Sequence, residues 1–222
     1  MTRDLRDTPQ AGSYAALYVD FPWRYAMRSD LGREKAPDAH YSCLDLDAGK
    51  ALPVSEVAGP RCFLFMWTTW PHLMDGSAFA LAEAWSDPDN PWRGVSGGSW
   101  HKKTIHGKDC FGQGYLFRTS SEPLLLFVRG DPKWHSRSER NSWTGGVGMA
   151  GLRREHSRKP EGVHEMIERA TRGPKLEMFS RQDRPGWDSW GKEAGLFDDA
   201  EAVAALKARR RDRRSAQLEL GI

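Results

Sequence analysis

The stretch Ala15-Ala16-Leu17-Tyr18-Val19-Asp20-Phe21-Pro22-Trp23 decides how the rest of the chain is read. An unbroken apolar run of this length describes a buried strand, and it stops at a single acid followed by a rigid aromatic turn. By itself such a stretch also fits an Asp that caps a turn beside a core Trp. Working outward, residues 62–67, 124–128 and 176–179 are further runs of strand length, bounded by Gly, Pro or charge. Apolar residues at helical spacing occupy 73–85. A second helix is predicted over 161–170, where Pro160 precedes the first turn and Val163, Met166 and Ile167 share one face. Strands alternating with helices imply an α/β protein with a largely parallel sheet. Such sheets bind ligands beyond the carboxyl ends of their strands, so the residues just after each run are where chemistry is expected.

Composition narrows the function classes. The 222 residues are 39% hydrophobic and 28% charged, enough apolar material for one substantial core. No apolar run approaches the roughly 20 residues of a membrane-spanning helix. The polar start reads as no secretory signal, so a cytoplasmic location is expected. Cys43, Cys62 and Cys110 form no C-x-x-C pair, which predicts free thiols and no bound metal. The net charge of +3 is uneven: residues 1–150 carry 17 basic and 17 acidic residues, and 151–222 carry 16 and 13. A domain over 1–195 followed by a basic helical tail over 196–222 is the simplest division. Three long stretches without a clear pattern, 23–52, 87–118 and 131–159, read as functional loops or as disordered segments.

Around Asp20-Phe21-Pro22-Trp23, the sequence resembles the MT-A70 family of N6-adenine methyltransferases, whose motif at this point is Asp-Pro-Pro-Trp. The likeness continues through His40-Tyr41, the strand Phe63-Leu64-Phe65-Met66-Trp67-Thr68, Trp100 with Lys102, the segment from Arg118 to Glu122, and Ser157-Arg158-Lys159-Pro160. It ends with Leu176-Glu177-Met178-Phe179-Ser180-Arg181, Pro185-Gly186-Trp187 and Gly191. It spans about residues 18–195 in the family's order and is nearest the small prokaryotic or phage-type members.

This resemblance implies a Rossmann-like class I methyltransferase fold, permuted so that the adenine-binding motif precedes the cofactor segment, with S-adenosylmethionine as cofactor. It places Asp20, Phe21, Pro22 and Trp23 in the catalytic motif. Tyr41, Lys102 and Glu122 fall on the substrate side. Asp20, Ser157, Lys159, Phe179, Arg181, Lys192 and Glu193 fall around the cofactor, with Lys159 near its methionine carboxylate. The implied activity is site-specific methylation of adenine N6 in DNA, with the base flipped out of the stack. RNA as substrate, and a catalytically weak nucleic-acid-binding subunit, are the alternatives. A monomer or homodimer is expected, with a heteromeric partner also compatible.

The chemistry asks for such residues. An adenine amine is a poor nucleophile because its lone pair is conjugated into the ring, so the site must accept hydrogen bonds from its N–H groups while stacking the base. Asp20 and a carbonyl of the turn are the acceptors, and Trp23 or Tyr41 the stacking surface. Phe21 departs from the family's proline: it supplies the same carbonyl without the fixed φ. Arg137 and Arg140, with Arg129 and Lys133, surround Trp134 and Trp143 in a basic, aromatic-interleaved loop suited to phosphates. Residues 111–114, Phe-Gly-Gln-Gly, lack the phosphate-binding fingerprint and read as a substrate-side loop. His101, His106 and Cys110 match no common metal-ligand spacing.

Overall fold

The computed structural model describes residues 3–24, 43–104, 106–110, 112, 116–146 and 159–191. Tyr41, Ser157, Lys192, Glu193, most of the 111–114 loop and the tail expected over 196–222 lie outside them. The described elements run β1 (Tyr14–Asp20), α1 (Leu46–Lys50), α2 (Val54–Val57), β2 (Ala58–Trp67), α3 (Trp70–Met74), α4 (Ser77–Ala84), β3 (Arg93–Lys103), β4 (Ser121–Arg129), β5 (Ser142–Gly146), α5 (Glu161–Ala170), β6 (Lys175–Met178) and β7 (Asp188–Trp190). One seven-stranded sheet has the order β5-β3-β4-β2-β1-β6-β7. The pairs β1–β2, β1–β6, β6–β7 and β3–β5 are parallel, and β4 alone is antiparallel to its neighbours β2 and β3.

Both faces of the central strands are covered, which is why their sequence is a continuous apolar run rather than an alternation. Leu17, Val19, Leu64 and Met66 pack on one side with Leu81, Ala82 and Trp85; Tyr18, Phe63, Phe65 and Trp67 pack on the other with Val163, Met166 and Ile167 of α5. A register shift between Tyr14 and Ala16 turns Tyr14 onto the Leu17 side. From β1 the chain continues to β2 on one side, and from β6 to β7 on the other. The neighbouring carboxyl ends of β1 and β6 are therefore the topological switch point of the sheet.

The four predicted strands and α5 are present. The helix expected over 73–85 is divided into α3 and α4 by Asp75 and Gly76, whose φ of 81° is left-handed. The segment 87–118 is not one irregular loop, because it contains β3. The unpatterned stretches 23–52 and 131–159 likewise contain α1 and β5. Glycines conceal β3: a Cβ at Gly98 would overlap the Trp143 ring, and one at Gly97 would lie 3.0 Å from the Leu124 carbonyl oxygen.

Candidate active site

Asp20 is the last residue of β1 and pairs in register with Trp67, the last residue of β2. Across the sheet, Trp67 pairs with Leu124, so Glu122 near the start of β4 reaches the same end. Lys159 enters from the segment leading to α5. Its Nζ forms ion pairs with Asp20 Oδ1 at 3.0 Å and Glu122 Oε2 at 3.1 Å, and lies 5.7 Å from the centre of the Trp67 ring. Lys102 of β3 is paired with the other oxygen of Glu122. Two lysines thus neutralise two carboxylates, brought together from four separate segments.

Burial is graded across this cluster. The Lys159 side chain is 7% exposed, that of Glu122 14% and that of Asp20 27%, so Asp20 is its most open member. Desolvation raises the Asp20 carboxyl above its ordinary value; Lys159 opposes this and the negative Glu122 reinforces it. For Glu122, burial also pushes upward, but Lys159 and Lys102 together outweigh it and hold the carboxyl at about 2. Burial alone would lower Lys159, yet Asp20 and Glu122 raise it, so its ammonium stays charged and cannot serve as a base. Among the described residues no hydrogen bond is made to Asp20 Oδ2. That oxygen can accept an incoming N–H.

The aromatic turn after Asp20 is built into the core. Phe21 meets Trp23, Trp85 and Phe179 edge to face, and a Cβ at Gly49 would strike its ring at 2.5 Å. The Phe ring that replaces the family's proline therefore fills a slot that only glycine leaves open. The Phe21 carbonyl accepts from the Trp23 amide at 2.9 Å and the Pro22 carbonyl from the Leu44 amide at 3.0 Å. Each keeps a second lone pair.

Trp23 differs most from its expected part as a stacking surface. It is 5% exposed, its indole N–H donates to the Trp67 carbonyl at 3.2 Å, and its ring stacks on His72 at 4.6 Å between centroids. Burial lowers the His72 pKa, keeping that imidazole neutral against the ring. His72 and Trp67 are contributors that sequence reasoning missed as site residues. Trp67 is the hub: its indole donates to the Tyr18 hydroxyl at 2.7 Å, its carbonyl holds Trp23 and its ring lies beneath Lys159.

Phe179 follows β6 at the neighbouring strand end, in a left-handed conformation with φ of 62°. A Cβ at Gly191 would lie 2.9 Å from the Phe179 Cα, so the turn is closed by an approach only glycine permits. Just past β2, the Thr68 and Thr69 hydroxyls are buried without a hydrogen-bond partner among the described residues. A tight turn at the switch point and unsatisfied buried hydroxyls beside it fit a polar ligand such as a nucleoside cofactor.

The basic loop is not one functional unit. Arg129 ends β4, whose antiparallel course carries it to the opposite end of the sheet. There it is buried, donates to the Ser55 carbonyl at 2.8 Å and lies against the Trp92 ring, which removes it from a phosphate-binding role. Trp134 packs on Phe63 and Phe65, and Trp143 on Trp67. Arg137 and Arg140 are exposed, and no hydrogen bond or ion pair described here ties them to the Asp20 cluster. Among the described residues no group of three His, Cys, Asp or Glu side chains is placed to hold a metal ion.

Comparison with known proteins agrees with this architecture. A Type II methyltransferase, M.MunI, from a Mycoplasma species is 27% identical over 197 residues, covering 81% of this chain and 77% of the relative. The MT-A70 family model matches residues 14–193, from the first residue of β1 to just beyond β7. With its class I methyltransferase sheet and the acid-aromatic turn at the switch point, this chain belongs to the MT-A70 family of methyltransferases.

Proposed function

We propose that the protein transfers a methyl group from S-adenosylmethionine to the N6 amine of adenine in DNA. The observation that carries this reading is the Asp20 carboxylate: it ends the central strand at the switch point, has one oxygen without a described partner and is more basic than an ordinary Asp. Methyltransferases of this family generally use S-adenosylmethionine, which supplies an electrophilic sulfonium methyl when bound. Phe179 and Arg181, beside the turn closed by Gly191, are the described residues that would hold it, together with Lys159.

Asp20 Oδ2 accepts one N–H of the amine and a carbonyl of Phe21 or Pro22 accepts the other. This orients the nitrogen lone pair toward the methyl and favours the positive charge that develops on nitrogen. As the nitrogen–carbon bond forms, the carbon–sulfur bond would break, the cofactor would leave as S-adenosylhomocysteine, and the one proton lost from the methylated nitrogen passes to water. Glu122, held ionised by its two lysines, fixes the position of Lys159, and Lys159 fixes Asp20. The likeness to the Type II methyltransferase favours DNA over RNA.

The test is transfer of radiolabelled methyl to unmethylated duplex DNA, with single-stranded DNA and RNA in parallel and digestion to nucleosides. Label recovered as N6-methyladenine from DNA is the expected result. Label recovered only from RNA would move the substrate to that polymer. Cofactor binding with no transfer to any polymer would favour a nucleic-acid-binding subunit.

A further inference from the structure

The connection from β3 to β4 leaves the sheet at the same end as Asp20, because β3 is directed like β2 and β4 returns against both. A narrow neck forms its base. The Lys102 amide donates to the Ser120 carbonyl at 2.8 Å, Cys110 to Lys102 at 3.0 Å and Gly112 to Thr119 at 2.8 Å. A Cβ at Gly112 would lie 2.9 Å from the Thr119 carbonyl oxygen, so the two sides approach this closely only with glycine there.

At this neck the chain presents Leu116 and Phe117, 84% and 88% exposed. Among the described residues no other two large apolar side chains so exposed are neighbours in sequence. Single exposed apolar residues are ordinary, but an adjacent pair projecting into water calls for a partner. Their surroundings indicate which. In the same connection between β3 and β4, His106, Lys108 and Arg118 are exposed, Arg118 directly after Phe117, and the acid of this segment, Asp109, is paired with Lys103. An exposed apolar pair on a connection that carries exposed Lys108 and Arg118 complements stacked bases between phosphates better than it complements a protein surface. Five residues beyond Phe117 lies Glu122, whose carboxylate is joined through Lys159 to Asp20.

We infer that Leu116 and Phe117 are a wedge that enters the base stack of duplex DNA and fills the gap left as the target adenine turns out toward Asp20, with Lys108 and Arg118 on the flanking phosphates. The inference rests on Asp20 being the acceptor site for a DNA adenine. Single-stranded DNA has no stack to open, so it does not need the wedge.

The experiment compares wild type with the Leu116→Ser, Phe117→Ser double variant on one preparation of long, unmethylated DNA, used as duplex and after heat denaturation. Both side chains are exposed, so the double variant should retain the wild-type Tm and cofactor affinity. Methyl transfer to duplex is expected to fall by about tenfold or more, while transfer to denatured DNA stays within about twofold. Phe117→Trp, which keeps a large aromatic, should retain the duplex rate; Phe117→Lys, which adds charge instead, should not. Equal loss on both forms of DNA, or loss on neither, overturns the wedge. If wild type acts on duplex alone, a defect confined to KM at unchanged kcat overturns it. So does a wild-type dimer that the double variant converts to monomer, since the pair would then be a protein interface. Wild-type transfer to no DNA at all overturns the acceptor reading itself, and the wedge with it.

Discussion

Two buried cations at opposite ends of the same sheet differ in what surrounds them. Arg129, at the amino ends of the central parallel strands, is engaged by the Ser55 carbonyl and the Trp92 ring, with Asp87 3.8 Å away at the surface. Lys159, at their carboxyl ends, is held between two carboxylates, one of which keeps an oxygen open. Backbone and ring partners bind the Arg129 end into the fold and give it no group to offer a substrate. The Lys159 end assembles opposite charges where the sheet connections diverge, which is the place and the kind of arrangement on which the proposed chemistry rests.

The contrast is broken most severely at Asp20. Asp20→Ala should lower kcat for methyl transfer by at least about 10²-fold, in line with loss of one preorganised polar group. Its Tm should be unchanged or higher, because burial and Glu122 already disfavour the Asp20 carboxylate. Lys159→Met comes next. It leaves Asp20 and Glu122 facing each other without their shared cation, at a stability cost of about 3–5 kcal/mol, read by denaturant unfolding, together with loss of activity.

Arg129→Met sharpens the comparison from the other side. It should cost about 1–3 kcal/mol, by the same unfolding measurement, while leaving kcat per folded molecule unchanged. A kcat defect there would mean that the two ends are coupled.

The smallest effect is a pH shift. If Asp20 must be ionised, the acid limb of the rate profile lies above the ordinary Asp value, since its carboxyl is raised. Glu122→Gln removes a neighbouring negative charge and leaves Lys159 to Asp20 alone, so both changes move that limb to lower pH. The same substitution should also flatten acid unfolding. Glu122 is lowered from 4.5 to about 2, so its stabilising contribution is whole above pH 4.5 and disappears as pH falls toward about 2.

The central strands were legible because two covered faces leave an unbroken apolar run, and α5 because Pro160 marks its start. β3 was not, because Gly97 and Gly98 remove the side chains that signal a strand, for a reason visible only when Leu124 and Trp143 lie beside them. Arg129 was misjudged because charge in a sequence does not say to which end of a sheet a strand returns. At the site, Asp20, Lys159 and Glu122 could each be named from the family motif. Their mutual contact is a product of strand order, and so is the use of Trp67 as a hub. Trp23 was read as a surface for the base because its partner His72 belongs to another segment, at no spacing that announces it.

The most direct measurement carries wild type, Asp20→Ala and Arg129→Met through one methyl-transfer reaction on DNA with nucleoside-level product analysis. N6-methyladenine formed at similar rates by wild type and Arg129→Met, and at least about 10²-fold more slowly by Asp20→Ala, is the expected result. N6-methyladenine formed by Asp20→Ala at the wild-type rate would contradict the account.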